Sequence, residues 1–132
     1  GTGLGMVERT IDEDHLLSMT GGAPELAEEV LDIFREQSGM WARMLDPKLA
    51  AQEWADAAHT IKGSALSIGA RELAEVCLAA ENLGRSGDVT AVQAAVALVD
   101  VKSELTYALE AAARASHALS KPGLRASKDP NS

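Results

Sequence analysis

Lys62 and Gly63 stand three and four residues after His59, and Leu66 stands seven after it. On a helix, residues at these spacings share one face. An imidazole, a cation, a position without a side chain and an apolar group would then lie together and look outward. A neutral imidazole nitrogen is a competent phosphoryl acceptor near neutral pH, and the phosphoramidate it forms can be passed on to a carboxylate. Such transfer asks mainly for positioning and charge neutralisation, so little further machinery is needed in the same chain. Lys62 places a positive charge within reach of anything bound to the ring. Gly63 is costly, because glycine inside a helix loses about 1 kcal/mol relative to alanine and no turn or cap is called for there. Clearance for a second protein above the imidazole is a physical reason for it. The other ring nitrogen needs an acceptor that fixes the tautomer.

These groups require a helix, and the chain is written for helices. Alanine and leucine dominate its 132 residues, while aromatics amount to two Trp, one Tyr and one Phe. Strand-like runs of β-branched residues are missing. A short first helix is expected over 11–20, with Thr10 or Asp12 near its start and Gly21-Gly22 as its stop. Pro24 suits the first turn of a second helix reaching about Met44, with Leu26, Val30, Ile33, Phe34, Gln37 and Trp41 at helical spacing. Asp46-Pro47 reads as cap and first-turn proline of a third helix, whose stripe Trp54, Ala58, Ile61, Ala65 and Ile68 is a bundle seam. Gly69 caps its end.

A fourth helix is expected from about Arg71 to Arg85, with Leu73, Val76, Cys77, Ala80 and Leu83 inward. Ser86-Gly87-Asp88 then makes a turn in which Asp88 caps a last helix carrying Val92, Val96, Val99, Leu105 and Leu109. Four long amphipathic helices with very short links imply an all-α, antiparallel up-down-up-down four-helix bundle, with the short N-terminal helix covering one end. The organisation expected is a flexible N-terminus at 1–9, one bundle domain at 10–119 and a disordered, proline-broken tail at 120–132.

The run AAHTIKGSALSIGARELAEVCLAAENLGR, residues 57–85, resembles the core motif of histidine-containing phosphotransfer (HPt) domains. The matching elements are His59, Lys62-Gly63-Ser64, Gly69-Ala70, Leu73-Ala74 and Glu81-x-x-Gly84, and the helical part from about 11 to 115 is compatible in pattern. The resemblance implies that His59 is phosphorylated at Nε2, that Lys62 steadies the phosphoryl group, and that Glu81 bonds the other ring nitrogen. It implies partner or phosphoryl contacts for Gly63, Ser64, Leu66 and Arg85. A phosphorelay intermediate follows, exchanging phosphate with the aspartate of a response-regulator receiver domain and supplied by a sensor or hybrid histidine kinase. Glu81 in place of Gln is more similar to phosphotransfer domains of chemotaxis kinases, and KGSALSIGA to stand-alone or hybrid-kinase HPt domains. An excised chemotaxis-type domain is therefore one alternative, and a receiver-binding bundle without transfer another.

GTGLGM at the start resembles a glycine box of histidine-kinase ATP-binding domains, but nothing else of that domain follows, so neither nucleotide binding nor autonomous kinase activity is implied. No cofactor is expected, and Mg²⁺ would belong to the receiver. His15, His59 and His117 are too scattered for a metal site. With 20 acidic against 12 basic residues, a net charge of −8, the chain lacks a footprint for nucleic acid or an anionic membrane. Cys77 reads as a buried core residue, and Leu16, Leu17 and Met19 as either core or an apolar docking rim. A cytoplasmic monomer is expected, the latter because no long apolar seam is left exposed.

Overall fold

Residues 8–120 are described by the computed structural model; 1–7 and 121–132, where the flexible end and most of the tail are expected, lie outside the described residues. Five helices follow one another: α1 Glu13–Met19, α2 Pro24–Met44, α3 Ala51–Ile68, α4 Arg71–Arg85 and α5 Ala91–Leu119. No strand occurs among the described residues. Helices α2 to α5 close a ring in which each packs on the next and α5 returns to α2, while α1 lies on α2 and α3. This is the expected four-helix bundle with its short added helix.

Local chemistry sets the ends. The Asp12 carboxylate accepts from the His15 amide at 3.0 Å and caps α1, with Glu13 and Asp14 favourably placed at its positive end. Gly69 closes α3 in the left-handed region at φ 75°, and the Ala70 amide reaches back to the Ala65 carbonyl at 2.8 Å. A Cβ on Gly69 would also come within 2.5 Å of Asp12 Cβ. That glycine therefore both turns the chain and seats the cap of α1.

Two expected starts are corrected. Asp46 does not cap α3: its side chain accepts from the Lys48 amide at 2.9 Å, two residues on, and helix begins only at Ala51. Such short-range bonding holds a turn in competition with helix. Asp88 does not cap α5 either. Thr90 and Gln93 do so reciprocally, each side chain accepting from the other's amide, at 3.1 and 2.9 Å.

Two expected faces are corrected as well. On α2 the buried positions are Pro24, Ala27, Leu31, Phe34 and Trp41, whereas Leu26 and Ile33 are exposed. On α5 the core is met by Ala94, Leu98, Val101, Leu105 and then by alanines at 108, 111, 112 and 115, while Val92, Val96 and Val99 look outward. Those valines form the kind of seam whose absence was the ground for expecting a monomer, and that ground falls away. The α3 stripe Trp54, Ala58, Ile61, Ala65 and Ile68 is buried as read.

The seam between α3 and α4 is the most extensive in the bundle. Its closeness is written in small residues. A Cβ on Gly84 would stand 2.7 Å from Trp54 Cζ3, 2.8 Å from Ala55 Cβ and 2.9 Å from the Ala51 carbonyl oxygen. The missing side chain lets α4 lie flush on the Trp54 indole, a large fully buried side chain of the core. This seam carries the chemistry.

Candidate functional site

His59 projects from the middle of α3 with its side chain 61% exposed. Its Nδ1 lies 2.9 Å from Glu81 Oε2 on α4. The same carboxylate accepts from Lys62 Nζ through Oε1 at 2.8 Å and from Arg85 Nε through Oε2 at 3.3 Å. Glu81 is thus the hub of the site, and only 12% of its side chain is exposed. The close α3–α4 packing around Gly84, one turn beyond Glu81, brings these two helices within side-chain reach.

The electrostatics fix the tautomer. The Lys62 ammonium above all, then the His59 and Arg85 donors, hold the Glu81 carboxyl down at about 2, against a desolvation that pushes the other way. An ionised carboxylate only accepts hydrogen bonds. In the neutral imidazole the proton therefore sits on Nδ1, and the lone pair of Nε2 is left on the ring's other edge. One consequence is measurable. Glu81 has a folded value below the ordinary 4.5, so its contribution to stability is complete above that value and is lost as pH falls towards about 2. Urea unfolding across this range is expected to show a steep acid limb that Glu81→Gln flattens; an unchanged limb would contradict the assignment.

Arg85 reaches past Glu81 to α3. Its guanidinium donates to Asp56 Oδ1 at 2.9 Å and to Gln52 Oε1 at 2.7 Å. Asp56, chiefly, and Glu81 raise the guanidinium above its ordinary value against a partial desolvation. Neither Asp56 nor Gln52 is singled out by the sequence motif. The spacing held a signal nonetheless, since Asp56 is three residues before His59 and so shares its face.

Gly63 faces open space: a Cβ there would meet no atom within 4 Å. Among the described residues nothing requires this glycine, unlike Gly84. Gly63→Ala is expected to raise stability by about 0.5–1 kcal/mol, read from the urea midpoint; a loss of stability would reveal a packing role. Leu66 is exposed on the same face and borders, with Lys62, Ala74 and Leu78, a hollow of about 280 Å³ that Arg71 and Glu75 also line. Ser64 is not brought to His59. It is half-buried on the other side of α3, lining a cleft of about 180 Å³ with Gln37 and Trp41 of α2.

Cys77 lies behind the site, fully buried, and burial pushes its thiol up to about 12, which removes it from thiolate chemistry. Leu16 is core, Leu17 is partly buried against it, and Met19 is exposed. Among the described residues, no group of three or more His, Cys, Asp or Glu side chains is placed to hold a metal. Nor is any described helix long and apolar enough to cross a membrane.

Comparison with known proteins agrees with the helical bundle and its family resemblance. The family model described as Hpt domain matches residues 23–115. The structure resembles the crystal structure of the histidine phosphotransferase ShpA from Caulobacter crescentus, with 34% sequence identity and a TM-score of 0.63. The alignment covers 88% of this chain and 96% of that one. No curated protein matches.

Proposed function

The chain belongs to the Hpt domain family, and from that footing we propose that it relays phosphate through His59 Nε2 between receiver domains and, ultimately, a sensor or hybrid histidine kinase. The observation that carries the reading is the bond between His59 Nδ1 and Glu81 at 2.9 Å. It directs the Nε2 lone pair away from the carboxylate and leaves the ring exposed to a partner.

In the forward step Nε2 attacks the phosphorus of a receiver's aspartyl phosphate. The N–P bond forms as the P–O bond to the aspartyl carboxylate breaks, and the aspartate departs as an anion. The Nδ1 proton stays on the ring, which becomes cationic, and Glu81 stabilises that charge. Lys62, three residues along the face, meets the phosphoryl oxygens. Return transfer is the same path reversed, with neutral imidazole as the leaving group. Any Mg²⁺ belongs to the receiver's acidic site. We infer the cytoplasm as the compartment of this exchange.

Gly63 and Leu66 supply the docking face. A bulky side chain at 63 would stand in the space a receiver must enter and cost roughly 1–3 kcal/mol there, or about 10–100-fold in transfer rate. Gly63→Gln is accordingly expected to slow transfer while leaving the fold intact; an unaltered rate would remove the clearance role.

The deciding experiment is incubation of the chain with radiolabelled, phosphorylated receiver domains. The expected product is a label on this chain that is lost in acid and kept in base, with none appearing from ATP alone. Failure of every receiver to label it would overturn the reading.

A further inference from the structure

Before phosphorylation both cations of the site are already engaged. Lys62 is bonded to Glu81, and Arg85 spends Nε on Glu81 and its two terminal nitrogens on Gln52 and Asp56. A phosphoryl group arriving on Nε2 brings about two negative charges and three acceptor oxygens. Lys62 can meet it with its remaining N–H donors while keeping Glu81, whereas the forked end of Arg85 reaches it only by leaving Asp56. The two are unequal. The Lys62–Glu81 pair is largely shielded, with 22% and 12% of the side chains exposed, whereas Asp56 is 68% exposed. A pair open to water is screened and gives way more readily.

Geometry makes Arg85 the movable group. Its Nε and His59 Nδ1 bond the same oxygen, Glu81 Oε2, at 3.3 and 2.9 Å. The root of the guanidinium is therefore beside the imidazole, while its forked end is turned one helical turn back along α3. We propose that Asp56, assisted by Gln52, holds Arg85 in reserve in the unphosphorylated state, and that the phosphoryl group draws the forked end away from Asp56. Asp56 is on this account a positioning residue, acting on the phosphorylated state through Arg85. Pivoting about Nε would exchange one carboxylate oxygen for phosphoryl oxygens, which suit a planar two-pronged donor better. The inference rests on the phosphorelay reading given above.

The test is a double-mutant cycle read at equilibrium with a phosphorylated receiver. Asp56→Asn should raise the share of label on this chain by about two- to fivefold, the worth of an exposed ion pair, and Asp56→Glu should restore the wild-type share. Arg85→Gln should lower the share, and in that background Asp56→Asn should change it by less than about 1.5-fold. In the unphosphorylated protein, Asp56→Asn should also speed proton exchange at the Arg85 guanidinium in nitrogen-15 NMR spectra, a change that a merely structural residue would not produce. An undiminished Asp56→Asn effect in the Arg85→Gln background would overturn the proposal, because Asp56 would then act by its own charge. So would an Asp56→Asn protein indistinguishable from wild type. A wild-type chain that takes no label would instead defeat the phosphorelay reading itself, and this inference with it.

Discussion

His59→Gln is expected to reduce the acid-labile label to background while leaving the helical spectrum and the urea midpoint close to those of the wild type. The chemical half of this expectation follows from the nucleophile: a glutamine amide offers no basic lone pair to attack phosphorus, and no other described histidine is held by a carboxylate. The structural half follows from exposure. The imidazole is 61% exposed and makes one hydrogen bond, to a Glu81 that retains Lys62 and Arg85. Glutamine is also a good helix former. Loss of label together with loss of fold would mean that His59 is a structural residue, and equal labelling of the variant would move the phosphorylated group elsewhere.

Gly84→Ala is expected to be the more damaging of two formally identical glycine replacements. The added methyl would meet the Ala51 carbonyl at 2.9 Å, Ala55 Cβ at 2.8 Å and the Trp54 ring at 2.7 Å. Two of these are backbone or Cβ atoms that yield only if α4 moves off α3. Overpacking of this kind costs about 1–3 kcal/mol, and each kcal/mol lowers Tm by roughly 3–5 °C in a domain of about this size. Displacement of α4 also carries Glu81 away from His59 Nδ1, so labelling should fall in the same variant. Gly63→Ala, with open space around it, is the control and should move stability the other way. Thermal melts of the two variants check the pair, and equal melting temperatures would show that the close α3–α4 approach is not what Gly84 provides.

The two glycines also show what the sequence makes legible. His59, Lys62 and Gly63 were readable because helical spacing alone places them on one face, and Gly63 stood out as a helix-interior glycine. Gly84 is equally interior, yet its reason is a neighbour 30 residues away at Trp54, and no local rule carries that. Alanine hid the true faces of α2 and α5. Ala27 on one and Ala94, Ala108, Ala111, Ala112 and Ala115 on the other are core, but alanine is common on both faces of helices, so the larger exposed Leu26, Ile33, Val92, Val96 and Val99 drew the reading to the wrong side. In the site itself, the Glu81 partnership was legible through family resemblance. The further reach of Arg85 to Gln52 and Asp56 depends on side-chain paths across two helices, which spacing along one of them does not reveal.

Among the described residues, the hydrogen-bond partners of the imidazole, of its carboxylate and of Arg85 all come from residues 52–85, a single helical hairpin linked by Gly69 and Ala70. The contacts that assemble the reactive centre are therefore local along the chain, whereas closing the bundle requires α5 to return across α2. Contacts of short sequence separation form at low entropic cost. The reactive centre is thus able to gather early, in a half-built molecule, and to outlast partial openings in which the flank of α2 and α5 loosens. Amide exchange should show this as slower exchange in α3 and α4 than in α2.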